Sequence, residues 1–150
     1  MSTTNDLLRT LGQALGIPEL SFDAEGLRSL AVGDALVVNL QHDAGTSEIV
    51  LFAVAATLPP NPPAETLLRL LRANRFWRGT GGATLSLDEH APPRAILARR
   101  VAAAAVTPAQ FVTLFEGFVD HLNDWHALLG EQDTSFDPMS TMALRMANFA

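Results

Sequence analysis

An apolar run followed by a proline-flanked helix limits what this chain can fold into more than any other stretch. Glu48-Ile-Val-Leu-Phe-Ala-Val-Ala-Ala56 is rich in β-branched and aromatic residues and is bounded by Gly45 and Pro59, the pattern of a strand buried on both faces. Asn61-Pro62-Pro63 then offers an N-cap and a proline for the first helical turn, where the missing N–H costs nothing. The helix is predicted to run to about Arg78 and to stop at Gly79. At roughly 100° per residue, Trp77, Leu70, Leu67, Leu71, Ala64 and Leu68 cover a broad arc, and Glu65, Arg69 and Arg72 hold the other side. A surface helix needs an apolar stripe only somewhat wider than ~100°. This one therefore calls for two apolar neighbours, either both inside the chain or one of them in a second copy.

Upstream, Thr3 or Thr4 can cap a first helix whose stripe is Leu7, Leu8, Leu11 and Leu15, with Gly16 as its C-terminal cap and Pro18 preventing continuation. Leu20 to Asp23 is expected as a short strand, turned by Ala24-Glu25-Gly26 and answered by Leu27 to Val32. A two-residue loop at Ala44-Gly45 would make the next hairpin. It sets Leu40 opposite Ile49, Val38 opposite Leu51 and Leu36 opposite Ala53 on a wholly apolar core face. The other face pairs Gln41 with Glu48, Asn39 with Val50, Val37 with Phe52 and Ala35 with Val54. On that face Val37, Val50, Phe52 and Val54 form either a binding patch or the seat of the central helix.

Downstream, Gly79-Thr-Gly-Gly82 is a connector, because it lacks the spacing and the Lys-Ser/Thr ending of a phosphate loop. Ala83 to Asp88 reads as a strand, and Arg94 to Val106 as a second one despite its helix-favouring alanines. Thr107-Pro-Ala-Gln110 combines a capping box with proline at the first helical position. Phe111, Phe115, Phe118, Leu122, Trp125 and Leu129 follow at spacings of three and four, so this long helix must lay one apolar face on the sheet. The domain is placed at residues 1–130. The tail 131–150 aligns Met139, Met142, Met146 and Phe149 along one face of a short amphipathic helix, or simply frays.

Chemistry is thinly provided. With no cysteine, disulfides and thiolate metal sites are excluded, and the compartment is expected to be reducing. A net charge of −6 disfavours nucleic acid, and no apolar stretch approaches the ~20 residues of a membrane span. Asp120, His121, Asp124 and His126 make the best polar cluster, but a spacing of five between the histidines misaligns them for a shared metal. Asp88-Glu89-His90 and His42-Asp43 suit turns. No catalytic, cofactor-binding or metal site is assigned; a small metal-dependent or acid–base enzyme using His121, Asp124 and Glu89 is the least favoured alternative.

Six stretches in order resemble the class I type III secretion chaperones, the Tir chaperone family: Leu15-Gly-Ile17, Asp23-Ala-Glu-Gly26, Ile49 to Ala55, Leu67-Leu-Arg-Leu-Leu-Arg-Ala-Asn74, Ala83-Thr-Leu-Ser-Leu-Asp88 and Phe111 to Trp125. The resemblance implies an α+β fold of order α-β-β-β-α-β-β-α, a twisted antiparallel sheet with helices packed on it, and a homodimer built through the second helix. It implies a cytoplasmic bacterial protein that acts without ATP. Such a protein holds the N-terminal chaperone-binding segment of a secreted effector in extended form and presents it to the export apparatus or its ATPase. On this reading Val37, Asn39, Gln41, Val50, Phe52 and Val54 bind the effector, and Leu67, Leu70, Leu71 and Trp77 line the two-fold contact. A regulatory or scaffolding module with the same fold is the alternative.

Overall fold

The computed structural model describes residues 3–130. Helix α1 (Thr4–Leu15) starts on the expected cap: the Thr3 hydroxyl accepts from the Asp6 N–H, and the Asp6 carboxylate accepts from the Thr3 N–H. Gly16 closes it at φ 71°, a conformation that favours glycine. Strands β1 (Leu27–Val32), β2 (Leu36–Asp43) and β3 (Glu48–Thr57) lead to α2 (Ala64–Ala73). Strands β4 (Thr84–Leu87) and β5 (Arg94–Ala102) lead to α3 (Pro108–Gly130). The five strands form one antiparallel sheet of order β1-β2-β3-β5-β4. The tail 131–150 lies outside the described residues.

One sheet face is covered by α1 and α3, and here the core sits. Leu36, Val38 and Leu40 of β2 and Ile49, Leu51 and Ala53 of β3 are buried with Leu7, Leu8 and Leu11 of α1. All six residues of the predicted α3 stripe, Phe111 to Leu129, are buried in the same cluster. The capping box that starts α3 is reciprocal, Gln110 N–H to Thr107 Oγ1 and Thr107 N–H to Gln110 Oε1. At the other end, β3 bulges between Val54 and Ala56, and His126 Nδ1 of α3 meets the Ala55 carbonyl at 2.7 Å. A carbonyl only accepts, so Nδ1 carries the proton.

Four expectations are corrected. Leu20 to Asp23 is not a strand, because Asp23 Oδ1 accepts from the Glu25 and Leu27 N–H groups and makes a side-chain-closed turn instead. The β2–β3 loop has four residues, Ala44 to Ser47, and sets Leu40 opposite Leu51 and Asn39 opposite Phe52. Asp43 Oδ1 accepts from the Gly45 N–H, which starts the turn early. The slip is two residues, so every side chain keeps its face. Helix α2 begins at Ala64 on an uncapped Pro63, because a proline steers its predecessor out of the helical region and Pro63 does this to Pro62. Strand β5 ends at Ala102, and Ala103–Ala105 forms a 3₁₀ turn, so the strand expected to reach Val106 is shorter.

Candidate partner-binding surfaces

Helix α2 also ends early, and its ending builds the most exposed apolar surface among the described residues. The Asn74 side chain donates to the Leu85 carbonyl at 2.9 Å and accepts from the Leu85 N–H at 2.8 Å, so the helix end is tied to β4 rather than continued to Arg78. A 3₁₀ turn, Arg75–Trp77, follows, with Phe76 at φ 52° and Trp77 at φ 54°. Two adjacent aromatics in the left-handed region carry strain on the order of 1–3 kcal/mol each. The connector behind them holds the geometry. The Trp77 carbonyl accepts from the Thr80 and Gly82 N–H groups, and Trp125 Nε1–H of α3 donates to the Gly79 carbonyl at 2.9 Å. At Gly81 (φ +64°) a Cβ would lie 2.3 Å from the His121 ring, so glycine is required there.

What this arm presents is decided by the helical wheel. Thr66 and Leu70 face inward, and Leu70 belongs to the chain's own core. On the opposite side Leu71 is 68% exposed, and Leu68 is exposed beside it. Phe76 and Trp77 are 69% and 56% exposed. The four residues assigned to a two-fold contact therefore separate: Leu71 and Trp77 are open, Leu67 is half-buried, and Leu70 supports the helix from behind. The second apolar neighbour that the sequence demanded for this helix is not found among the described residues.

The sheet face opposite the core carries the six residues assigned to effector binding, and their placement is mixed. Val37, Gln41 and Val50 are partly exposed. Asn39 is 1% exposed and Phe52 3%, while Val54 is buried against Ile96 in a small cluster separate from the main core. Asn39 Oδ1 accepts from the Ser29 hydroxyl at 2.7 Å, and its Nδ2 donates to the Phe52 carbonyl. Gln41 Nε2 donates to the Glu25 and His42 carbonyls. Both amides thus hold the protein's own backbone. Nearby, Glu48 Oε2 pairs with the exposed Arg100, Nε at 3.0 Å, and this hydrogen bond raises the arginine's pKa.

A surface that the sequence reading missed lies on the α1–β1–α3 side. Leu15, Ile17, Leu30, Ala31, Val32, Phe115 and Val119 line a cleft of about 280 Å³, with Glu116 and Asp120 at its edge. Leu15 and Ile17 are among the exposed large apolar residues. Leu15, expected in the core stripe of α1, stands exposed at the cleft instead; the sequence signal for the cleft is Ile17, an isoleucine between Gly16 and Pro18 with no stripe to join.

The polar candidates serve the fold. Asp88 pairs with Arg94 at 2.6 Å, both nearly buried, and Asp88 Oδ1 also accepts from the His90 and Arg94 N–H groups. His121 Nδ1 meets the Gly117 carbonyl. Among the described residues no group of three or more His, Cys, Asp or Glu is placed to hold a metal ion, and no helix is long and apolar enough to cross a membrane.

These features define a class: an antiparallel sheet closed on one face by two helices, with apolar surface left over for another polypeptide. Residues 6–126 match the model of the Tir chaperone protein (CesT) family, and the chain belongs to that family. No curated protein matches it by sequence. Among solved structures it is similar to a chain of the ExsC–ExsE complex, at 26% identity and a TM-score of 0.70, covering 87% of this chain and 95% of that one. It also shares its fold with a chain of the HopA1–SchA chaperone–effector complex, at 19% identity and TM-score 0.63, over 81% of this chain and 91% of that one. A third likeness is to a chain of the Yersinia pestis type III secretion chaperone SycH in complex with a fragment of YscM2, at 22% identity and TM-score 0.64, over 80% and 97%.

Proposed function

We propose that this protein is a type III secretion chaperone. It works as a homodimer in the bacterial cytoplasm, binds the N-terminal chaperone-binding segment of a secreted effector, and keeps that segment soluble and ready for export. It binds and releases, and catalyses no reaction. The observation that carries this reading is surplus apolar surface in two places, on the α2 arm and in the α1–β1–α3 cleft, in a chain of the Tir chaperone family.

The geometry of the two surfaces supports a division of labour between them. Leu67, Leu71 and Trp77, with Leu70 behind them, suit an isologous contact in which the same helix faces itself across a two-fold axis. An extended client segment is better served by the cleft, which takes apolar side chains, and by the outer edge of β1, where Leu30 to Val32 line the same cleft. Val37 and Val50, the partly exposed apolar members of the second sheet face, offer further contact on the other side of the sheet. A dimer doubles that track for one client and raises avidity without stronger individual pockets. Co-expression with the N-terminal region of a secreted protein encoded beside this chain tests the reading. A soluble complex containing two copies of the chain is expected, and a monomeric chain that leaves the segment insoluble would overturn it.

A further inference from the structure

The arginines of this protein fall into two sets. Outside the α2 arm each described arginine has a partner: Arg9 with Asp6, Arg28 with the Ser21 carbonyl, Arg94 with Asp88, Arg99 with the Gly81 carbonyl and Arg100 with Glu48. Within the arm, Arg69, Arg72, Arg75 and Arg78 recur every third residue, and all four are exposed. None of the four guanidinium groups makes a hydrogen bond or ion pair with the described residues; that of Arg75 lies over the Phe76 ring, 5.7 Å from its centroid. With Glu65 as the one acid between residues 64 and 82, four positive charges and one negative give +3 for that stretch. The rest of a chain of net charge −6 therefore carries −9.

We infer that the α2 arm carries a docking surface for an acidic polypeptide segment, read by Arg69, Arg72, Arg75 and Arg78 with Phe76 as its apolar contact. Four positive charges on a surface surrounded by an acidic body attract a carboxylate-rich segment and fix its position. Guanidinium groups offer planar, two-pronged donors to carboxylates, and arginine beside an exposed aromatic is the composition of an interface anchor. The occupant is not the second copy. An isologous contact brings a patch against itself, so arginines at its centre would face arginines. On α2, Arg69 and Arg72 lie to one side of the Leu71, Ala64, Leu68 stripe, at the rim of such a contact. The −9 remainder repels a long polyanion, which favours a short acidic segment over nucleic acid.

The test is fluorescence anisotropy on the full chain with two labelled probes, a short peptide alternating glutamate and leucine and a single-stranded oligonucleotide of equal charge. The peptide is expected to bind saturably, and its affinity should fall about tenfold or more between roughly 50 and 300 mM salt. Arg69→Glu with Arg72→Glu should lower it by a similar factor while leaving the particle mass in light scattering and the helical circular dichroism unchanged. Arg75→Gln with Arg78→Gln, outside the helix, gives a second variant that does not load α2. Absence of peptide binding at low salt, binding by both variants as tight as by the parent, or tighter binding of the oligonucleotide would overturn the proposal. So would conversion of a dimer to monomer by the reversal, because the arginines would then belong to the two-fold contact. The arginine surface and the client cleft are separate sites, so failure at the first leaves the proposed client binding in place.

Discussion

Helices α2 and α3 are both amphipathic, yet they use their apolar residues in opposite ways. Along its 23 residues α3 buries six large side chains in one cluster and turns Glu116, Asp120 and Asp124 to solvent. In its ten residues α2 buries Thr66 and Leu70 and leaves Leu68 and Leu71 in water. The difference shows that apolar content does not by itself identify a core helix. The position of the surplus does: α3 gathers its large apolar residues on one buried face, with Leu128 the exception, whereas α2 has apolar residues both toward the sheet and away from it.

The largest effect that could break this contrast is on α3. Phe111→Ala removes a fully buried ring and is expected to cost about 3–5 kcal/mol in urea unfolding of the folded chain. A loss below 1 kcal/mol would mean that α3 is not the core helix described. Leu71→Asp is the matching test on α2. Its side chain is exposed, so the fold should survive by circular dichroism, while the proposed dimer should become a monomer in light scattering. Equal damage to the fold by both substitutions would erase the distinction. Phe52→Asp is not a clean test of client binding, because a carboxylate at a 3% exposed position is unpaired and buried, and the fold would suffer first.

Much of the contrast was legible in the sequence, and the reasons for the gaps are local. The stripe of α3 could be read because its period is regular and its cap is a contiguous four-residue signal. The double-sided character of α2 was also readable from its wide apolar arc. Its end was not, because the residue that stops it, Asn74, is held by Leu85 from another strand, and no window around Asn74 contains that partner. The sheet faces were readable and their register was not, since a slip of two residues leaves the alternation of apolar and polar side chains unchanged. The cleft was missed because it is assembled from the ends of α1 and β1 and the middle of α3.

Smaller effects sharpen the comparison. Thr107→Ala removes the hydroxyl of the capping box and should cost about 1 kcal/mol, seen as a lower urea midpoint with an unchanged slope. No equivalent loss is expected at the start of α2, where Pro63 supplies no side-chain cap. The smallest effect lies in neither helix. Hydrogen bonding from the Gly45 N–H holds the exposed Asp43 carboxyl below its ordinary value of 3.8. A depressed carboxylate stabilises the fold above the unfolded-state value, and the contribution disappears as pH falls through the folded-state value. Asp43→Ala should therefore lower the melting temperature slightly at neutral pH, and the gap between variant and parent should narrow as pH falls below the ordinary carboxylate value and this group takes up its proton. A gap that stays constant across that range would assign the effect to the turn's shape rather than to the charge.

The tie between Asn74 and Leu85 reaches beyond the helix it stops. A primary amide that gives to one carbonyl and takes from one N–H imitates a single residue of a neighbouring strand, and here it plugs the outer rim of β4 at mid-length. Asp23 does the same at the start of β1, accepting at its carboxylate from the Leu27 N–H while its own N–H reaches the Leu27 carbonyl. With a stopper on each flank, two copies of this sheet have little continuous border along which to zip together. Growth into ribbons is discouraged at both sides, while the unplugged few residues beyond Leu27 leave a berth suited to a short guest.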